Sequence, residues 1–266
     1  MDGNRVKITG TGRFLPGNPV PFEETDRYLG EITNAPANIA KWFSRIRPLM
    51  KEMLDISYYH YAIDPDTREF VEDNISMSVK AAKLALDSAG LKADEIQFIA
   101  YGSAHQHQMP TATVRIQEAL GIETCGEISI HANCTSAYKA LLVAYEFIRS
   151  GRYDNALVLS SGISSSELIA EYYNQSLLKK EELFLRYFLC DGAGALVLEK
   201  AKDIKGLFVE NVCIESVGGK KPAAMLNKRP AYWQNPKLEF EKGDHHLVQM
   251  FNEQLRMHFH DADGSV

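Results

Sequence analysis

The sequence lacks most of the features that would announce a ligand directly. Its four cysteines, Cys125, Cys134, Cys190 and Cys213, stand far apart with no C-x-x-C pair. That spacing argues against a zinc site or a disulfide framework and leaves each cysteine to be judged by its own surroundings. No Lys/Arg-rich block occurs and the net charge is −6, so the electrostatic footprint of a nucleic-acid or anionic-membrane binder is missing. No run approaches the ~18 apolar residues of a membrane span. The opening MDGNRVKITGTGRFLPGNP has no charged start followed by an apolar stretch, so a cytosolic location is expected. Low-complexity tracts and repeats at periods of roughly 20–50 residues are also absent.

What is present is an ordinary globular composition: 266 residues, 45% of them apolar, enough to bury a large core in one or two domains. Val6 to Gly12 reads as a strand, followed by a Pro/Gly-rich loop. The segment NIAKWFSRIRPLMKEML has apolar residues every three or four positions, which predicts a helix interrupted or kinked at Pro48. Ser76 to Ala89 predicts a helix stopped by Gly90, with the buried strand EIQFIAYG after it. The order repeats: helix Thr113 to Leu120, strand Glu127 to Ile130, helix from about Thr135 to Ser150, strand Ala156 to Ser160. Strands alternating with helices mean βαβ units, hence an α/β fold with a mainly parallel sheet under a cover of helices. Beyond Ile163 the pattern predicts a polar-aromatic helical stretch, the apolar strand in CDGAGALVLEK, a strand pair around Gly206 to Val217, and a terminal amphipathic helix, HHLVQMFNEQLRMHF.

In EISIHANCTSAYKALL, Cys134 stands where a strand gives way to a helix start rich in small residues. Two readings fit it. One is a small side chain that lets helix and strand pack closely. The other is a nucleophile: unsatisfied N–H groups and the positive end of the helix dipole favour a thiolate there, and the same N–H groups can receive an oxyanion when a thioester is attacked. His131, three residues earlier, and His105 and His107, in the loop after a central strand, are auxiliary candidates, since a histidine near a thiolate can serve as base or cation. His131 at a strand end can equally be satisfied by backbone. His245, His246, His258 and His260 read as a solvated helix face and end.

These residues resemble a known family. HANCTSAYKALLVAYEFIRSGRYDNALVLSSG is similar to the nucleophile segment of the thiolase superfamily, specifically its β-ketoacyl-ACP synthase III branch. ITGTGRFLPGNPV, AAKLALDSAGLKADEIQFIAYGS, MPTATVRIQEALGI and CDGAGALVLEK agree in order and spacing. The resemblance implies a thiolase-like layered α/β fold, mainly its N-terminal half, over residues 1–200, with 201–266 as the start of a second half. It implies Cys134 as the acyl-accepting nucleophile and its own backbone N–H as an oxyanion-hole donor. It implies Met109 as the large apolar residue that crosses a dimer interface to shape the partner's acyl pocket; core filling is the other reading of Met109. Asp191 to Gly194 match a Gly-rich structural turn.

Two departures bear on function. Where the family holds the coenzyme A adenine with a Trp and an Arg, this sequence reads KEMLDISYYHYAID, with Met53 in place of the Arg and an expanded segment from Trp42 to Arg47 before it. A carrier-protein-bound acyl donor is therefore favoured over free acyl-CoA, with Trp42, Met50, Tyr58, Tyr59 and Tyr61 as residues that could line such a site. Neither the H-Q-A-N-like segment nor the G-N-T-S-like segment that supplies the family's decarboxylation His and Asn is present. The expectation is a condensing enzyme acting through a Cys134 thioester, without a bound cofactor or metal, as a homodimer or as a heteromer whose other chain carries the second half. The alternatives are an acyltransferase to oxygen, nitrogen or sulfur without decarboxylation, and a non-catalytic ketosynthase-like subunit.

Overall fold

A computed structural model describes residues 4–105, 109–176, 178, 180–216, 226–227 and 248–249. In chain order the elements are β1 (Val6–Phe14), α1 (Thr25–Leu29), α2 (Ala37–Leu54), α3 (Asn74–Ala89), β2 (Phe98–Ser103), α4 (Ala112–Leu120), β3 (Gly126–His131), α5 (Ser136–Arg149), β4 (Asn155–Ile163), α6 (Ser165–Leu168), α7 (Lys180–Arg186), β5 (Asp191–Lys200), β6 (Leu207–Val209), β7 (Leu226–Asn227) and β8 (Val248–Gln249). They fall into two compact units that interleave along the chain, the first made of 1–20, 58–165 and 190–215 and the second of 21–57, 166–189 and 216–266.

The first unit is built on one six-stranded sheet in the order β3-β2-β4-β5-β1-β6. β2 pairs in parallel with β3 and β4, and β5 runs antiparallel to β4 and β1. Strands β1 to β4 thus share one direction, and β5 and β6 return against it, giving the mixed α/β sheet that alternating strands and helices predict. All six residues of β2 are buried. Period-two alternation sends them to different cores. Ile99 and Tyr101 join Leu157, Leu159 and the small face of α3, whereas Phe98 and Ala100 join Ala156, Val158 and the inner face of α5. Central strands covered on both faces explain their near-continuous apolar runs.

Helix α3 begins where the Asp73 carboxylate accepts from Ser76 N at 2.7 Å and Asp73 N donates to the Ser76 hydroxyl at 2.9 Å, and it stops at Gly90 with φ +70°. Its alanines let it lie almost on the strand: a Cβ added at Gly12 would meet the Ala81 carbonyl oxygen at 2.0 Å. That contact is the physical content of the alternating glycines in ITGTGRF.

In the second unit a buried cation lies among buried apolar side chains such as Leu29, Met50, Leu168 and Leu185. The Arg186 side chain is fully buried. Its Nε donates to the Leu168 carbonyl at 2.9 Å, one Nη to Asp26 Oδ1 at 2.6 Å and the other to the Gly30 carbonyl. Asp26 also accepts from the Tyr187 hydroxyl at 2.8 Å and pairs with Arg47 at 2.7 Å. Burial works to raise the Asp26 pKa, but the Arg186 charge and these donors hold it below the usual carboxylate range. Phe43 stacks on the Tyr187 ring at 5.2 Å and Phe22 lies tilted at 5.5 Å.

Three expectations about elements are corrected, and a fourth falls almost wholly outside the described residues. Of the interruption or kink expected at Pro48, the interruption is overturned, since α2 is continuous through it; Pro48 is exposed, as is Ser44 one turn before it, so the carbonyl deprived of its N–H partner faces water. The stretch after Ile163 is not one helix but α6, a single 3₁₀ turn at Ala170–Tyr172, and α7. Among the described residues around Gly206 there is one strand, β6, paired with β1. The terminal helix predicted over HHLVQMFNEQLRMHF lies outside the described residues except for Val248–Gln249, which pair as a short strand with Leu226–Asn227.

Candidate active site

The strand-to-helix elbow forms where the sequence places it. β3 ends at His131 and α5 starts at Ser136, and the turn between them is closed by a hydrogen bond from Ser136 N to the Asn133 carbonyl at 2.9 Å. The N-terminal turn of α5 lies directly on β2: a Cβ at Gly102 would sit 2.1 Å from the Ser136 carbonyl oxygen. No side chain caps α5. Cys134 is exposed, and among the described residues no hydrogen bond engages its N–H or its thiol. The elbow therefore presents a reachable sulfur beside an open backbone donor, at the positive end of a 14-residue helix. An exposed side chain does not suit a cysteine kept only for close packing.

The parallel register sets Ser103 of β2 beside His131 of β3, so the loop after β2 and the elbow share the C-terminal edge of the sheet, the edge where open α/β sheets place ligands. His131 is exposed, and its Nε2 lies 3.1 Å from the Ala104 carbonyl; a carbonyl only accepts, so that nitrogen carries the proton. His105 is half-buried, with its N–H donating to the Ser103 hydroxyl at 3.0 Å and its carbonyl accepting from Asn74 Nδ2 at 3.0 Å. Neither ring bonds to Cys134 among the described residues. His107 lies outside those residues. Met109 is 88% exposed, which removes core filling as its role.

Other candidates sort differently. Tyr59 and Tyr61 are buried and stacked at 5.9 Å and Met50 is buried in the second unit, so these three are core and not site lining. Tyr58 is exposed, and Trp42 is half-buried under Lys180, whose Nζ stands 5.4 Å from the ring centroid. Asp191 opens β5 with a carboxylate that is 2% exposed and accepts from Ala62 N at 2.7 Å, from Ser165 N at 2.8 Å and from the Ser165 hydroxyl. Burial pushes its pKa up to about 6 against the pull of those three donors. Sequence reading missed this clamp, because its donors come from segments 26 and 129 positions away.

Beside α5, on the sheet face that the helix covers only in part, lies an open apolar cavity of about 330 Å³ whose walls include Gly12, Tyr138, Leu141, Val158, Gly194 and Leu196. Sequence periodicity gave no sign of it, because each lining residue obeys the pattern of a buried element. Among the described residues no cluster of three or more His, Cys, Asp and Glu could hold a metal ion, and no helix is long and apolar enough to cross a membrane.

The layered sheet with a cysteine elbow at its C-terminal edge defines a thiolase-like fold, and solved structures carry the same architecture. A tetronic acid condensing enzyme, AbyA1, superposes with TM-score 0.61 at 24% identity over 74% of this chain and 56% of its own. The 3-oxoacyl-[acyl-carrier-protein] synthase III from Aquifex aeolicus VF5 does so with TM-score 0.56 at 24% identity over 74% and 55%. In sequence the likeness is to β-ketoacyl-ACP synthase III. The family model described as 3-oxoacyl-[acyl-carrier-protein (ACP)] synthase III matches residues 128–216, which include the elbow. The β-ketoacyl-[acyl-carrier-protein] synthase III of Clostridium novyi (strain NT) is 28% identical over 216 residues, 81% of this chain and 57% of that protein. The resemblance carried by the sequence segments is thus borne out. The chain spans a little over half the length of the curated relatives it matches.

Proposed function

We propose that the chain is the nucleophile-bearing half of a cytosolic condensing enzyme of the β-ketoacyl-ACP synthase III type. Cys134 attacks an acyl thioester, the incoming acyl carbon bonds to Sγ, and the donor thiol leaves with a proton. The Cys134 N–H receives the oxyanion of the tetrahedral intermediate. Polypeptide beyond these 266 residues, a separate subunit or the remainder of a longer protein, supplies the His and Asn that stabilise the enolate formed when a malonyl thioester loses carbon dioxide. The enolate carbon then takes the acyl group and frees Cys134. The observation that carries this reading is the exposed, unpaired cysteine and open N–H at the elbow, inside a segment matched by the family model.

The apolar cavity beside α5 supports the need for further polypeptide. A sheet of this kind is covered on both faces, and among the described residues the strands β1 and β5 are open there. A second copy has a different route: β3 forms an edge of the sheet, where unpaired backbone groups can take another strand, and the exposed Met109 would then reach the neighbouring copy's acyl pocket. His131 is auxiliary at most, since its Nε2 donates to the Ala104 carbonyl in the loop after β2, and the backbone of His105 is held by Asn74 and Ser103.

Turnover of carboxyl-labelled malonyl thioester by the chain together with its complementing polypeptide tests the reaction type. Carbon dioxide release that depends on Cys134 and on a primed acyl group supports condensation. Acyl transfer from Cys134 to an oxygen, nitrogen or sulfur acceptor with no carbon dioxide release overturns it in favour of a simple acyltransferase. Full activity of the assembly with Cys134→Ala would make this chain a non-catalytic subunit.

A further inference from the structure

A group of buried hydroxyls lies under the loop after β2, within the first unit. Ser78, Tyr101, Ser103 and Ser161 are each no more than 5% exposed, and they stand at the end of a core otherwise made largely of aliphatic side chains. Apolar residues would fill that space without desolvating a polar group, so packing alone does not account for the hydroxyls. Their donors and acceptors can be assigned. The Asn74 amide nitrogen faces the His105 carbonyl at 3.0 Å, and a carbonyl only accepts, so the Asn74 side-chain oxygen is the atom 3.2 Å from the Ser161 hydroxyl. Ser161 therefore gives its one hydroxyl hydrogen to Asn74, whose main-chain oxygen also lies within 3.1 Å. It accepts from Ser78 at 3.0 Å and from Tyr101 at 2.8 Å. Burial raises the Tyr101 pKa, which keeps the phenol protonated as that donor. Ser103 donates to the Ser161 carbonyl at 2.7 Å and accepts from His105 N at 3.0 Å. Asn74, His105, Ser103 and Ser161 thus close a ring that joins the first residue of α3, the loop after β2, the end of β2 and β4.

The turn that the ring fixes is the one that holds the elbow. The Ser103 carbonyl accepts from Ala132 N at 3.4 Å, and the Ala104 carbonyl from His131 Nε2 at 3.1 Å. Ala104 stands between two members of the ring, which set the direction of its carbonyl, and Cys134 follows two residues after Ala132. We propose that Ser103 and Asn74 are positioning residues for Cys134, an inference that rests on the acyl-transfer reading of that cysteine. By closing the ring they fix the turn from Ser103 to His105, and that turn fixes the entry to the elbow, so that sulfur and oxyanion N–H keep the relative placement that thioester attack requires. Placement matters less for alkylation. Thioester attack uses the sulfur and the N–H together, whereas iodoacetamide needs the thiolate alone: the sulfur bonds to carbon and iodide leaves.

The test opens the ring at two elements, with Ser103→Ala in β2 and Asn74→Ala at the half-buried start of α3, so that a folding failure in one leaves the other. Three rates are read in the full chain: Cys134 acylation by acyl-pantetheine, Cys134 alkylation by iodoacetamide, and amide hydrogen exchange in the peptide spanning 128–137. Each variant should slow acylation about tenfold, leave alkylation within about twofold, and speed exchange at the elbow at least about tenfold. Ser103→Thr, which keeps the hydroxyl, should restore acylation. The proposal is overturned if both variants acylate at the wild-type rate, if acylation and alkylation slow together, if acylation slows with exchange at the elbow unchanged, or if folded Ser103→Thr is as slow as Ser103→Ala. Faster exchange at the elbow in both variants, with no acylation of Cys134 in the wild type, would keep the ring's hold on the elbow and sink the acyl-transfer reading. Wild-type acylation that neither variant alters would do the reverse.

Discussion

A carboxylate enclosed by three donors and shielded from water titrates unlike one on the surface, and Asp191 is such a group. Its pKa stands at about 6 against an ordinary 3.8. Between those values the folded protein keeps a proton that the unfolded chain has released, so stability is highest below pH ~4 for this group and falls as pH rises through ~6, by about 3 kcal/mol at most. Urea midpoints measured from pH 4 to 7.5 should therefore drift downward in the wild type and show a flatter profile in Asp191→Asn; equal slopes would refute the linkage. At this scale the elbow that carries Cys134 was legible because a strand, a tight turn and a small-residue helix start form a local pattern. Met109 was not, since a lone methionine before a proline has no periodicity to say which way it faces. The Arg186 cage was hidden for a related reason: its acceptors lie 18, 156 and 160 positions away.

Elements explain how the elbow is held. The backbone of α5 rests on Gly102 so closely that any side chain there must push the helix off β2. Gly102→Ala should cost about 3 kcal/mol in chemical denaturation and should slow Cys134 acylation beyond what the lost stability explains, because the helix start carries both sulfur and N–H. Unchanged acylation in a folded variant would mean that this contact does not position the elbow. The βαβ order, caps and glycine stops of α3, α4 and α5 were readable because each rests on local chemistry. Whether Pro48 breaks α2 was not, since the cost of a missing hydrogen bond depends on whether the orphaned carbonyl meets solvent, a tertiary property. The stretch from Ser164 to Phe188 misled for the opposite reason: its apolar residues keep helical spacing, yet they serve several short turns around Arg186 and Tyr173.

At the scale of the whole molecule, each unit has its own source of stability. The first rests on apolar burial on both faces of a sheet, the second on apolar burial joined to a buried ion network under aromatic rings. Removing one partner of such a network leaves an uncompensated charge, so Asp26→Ala should destabilise by about 3–5 kcal/mol, whereas a change confined to Arg5 and Glu210, an exposed pair at 3.5 Å, should register almost nothing. Thermal unfolding of the two variants checks this, and a mild effect of Asp26→Ala would show that Arg186 finds water on its loss. The layered fold, and its likeness to β-ketoacyl-ACP synthase III, could be read from segment order alone. The apolar cavity beside α5 could not, because an uncovered sheet face looks the same in sequence as a covered one.

The account turns on what Cys134 does, and peptide-resolved mass spectrometry after incubation with an acyl thioester reads that most directly. The prediction is a mass increment of one acyl group on the peptide containing Cys134, removed by hydroxylamine and absent in Cys134→Ala. Acylation confined to Cys125, Cys190 or Cys213, or an unmodified Cys134 in a folded chain at donor concentrations that saturate a β-ketoacyl-ACP synthase III, would contradict it.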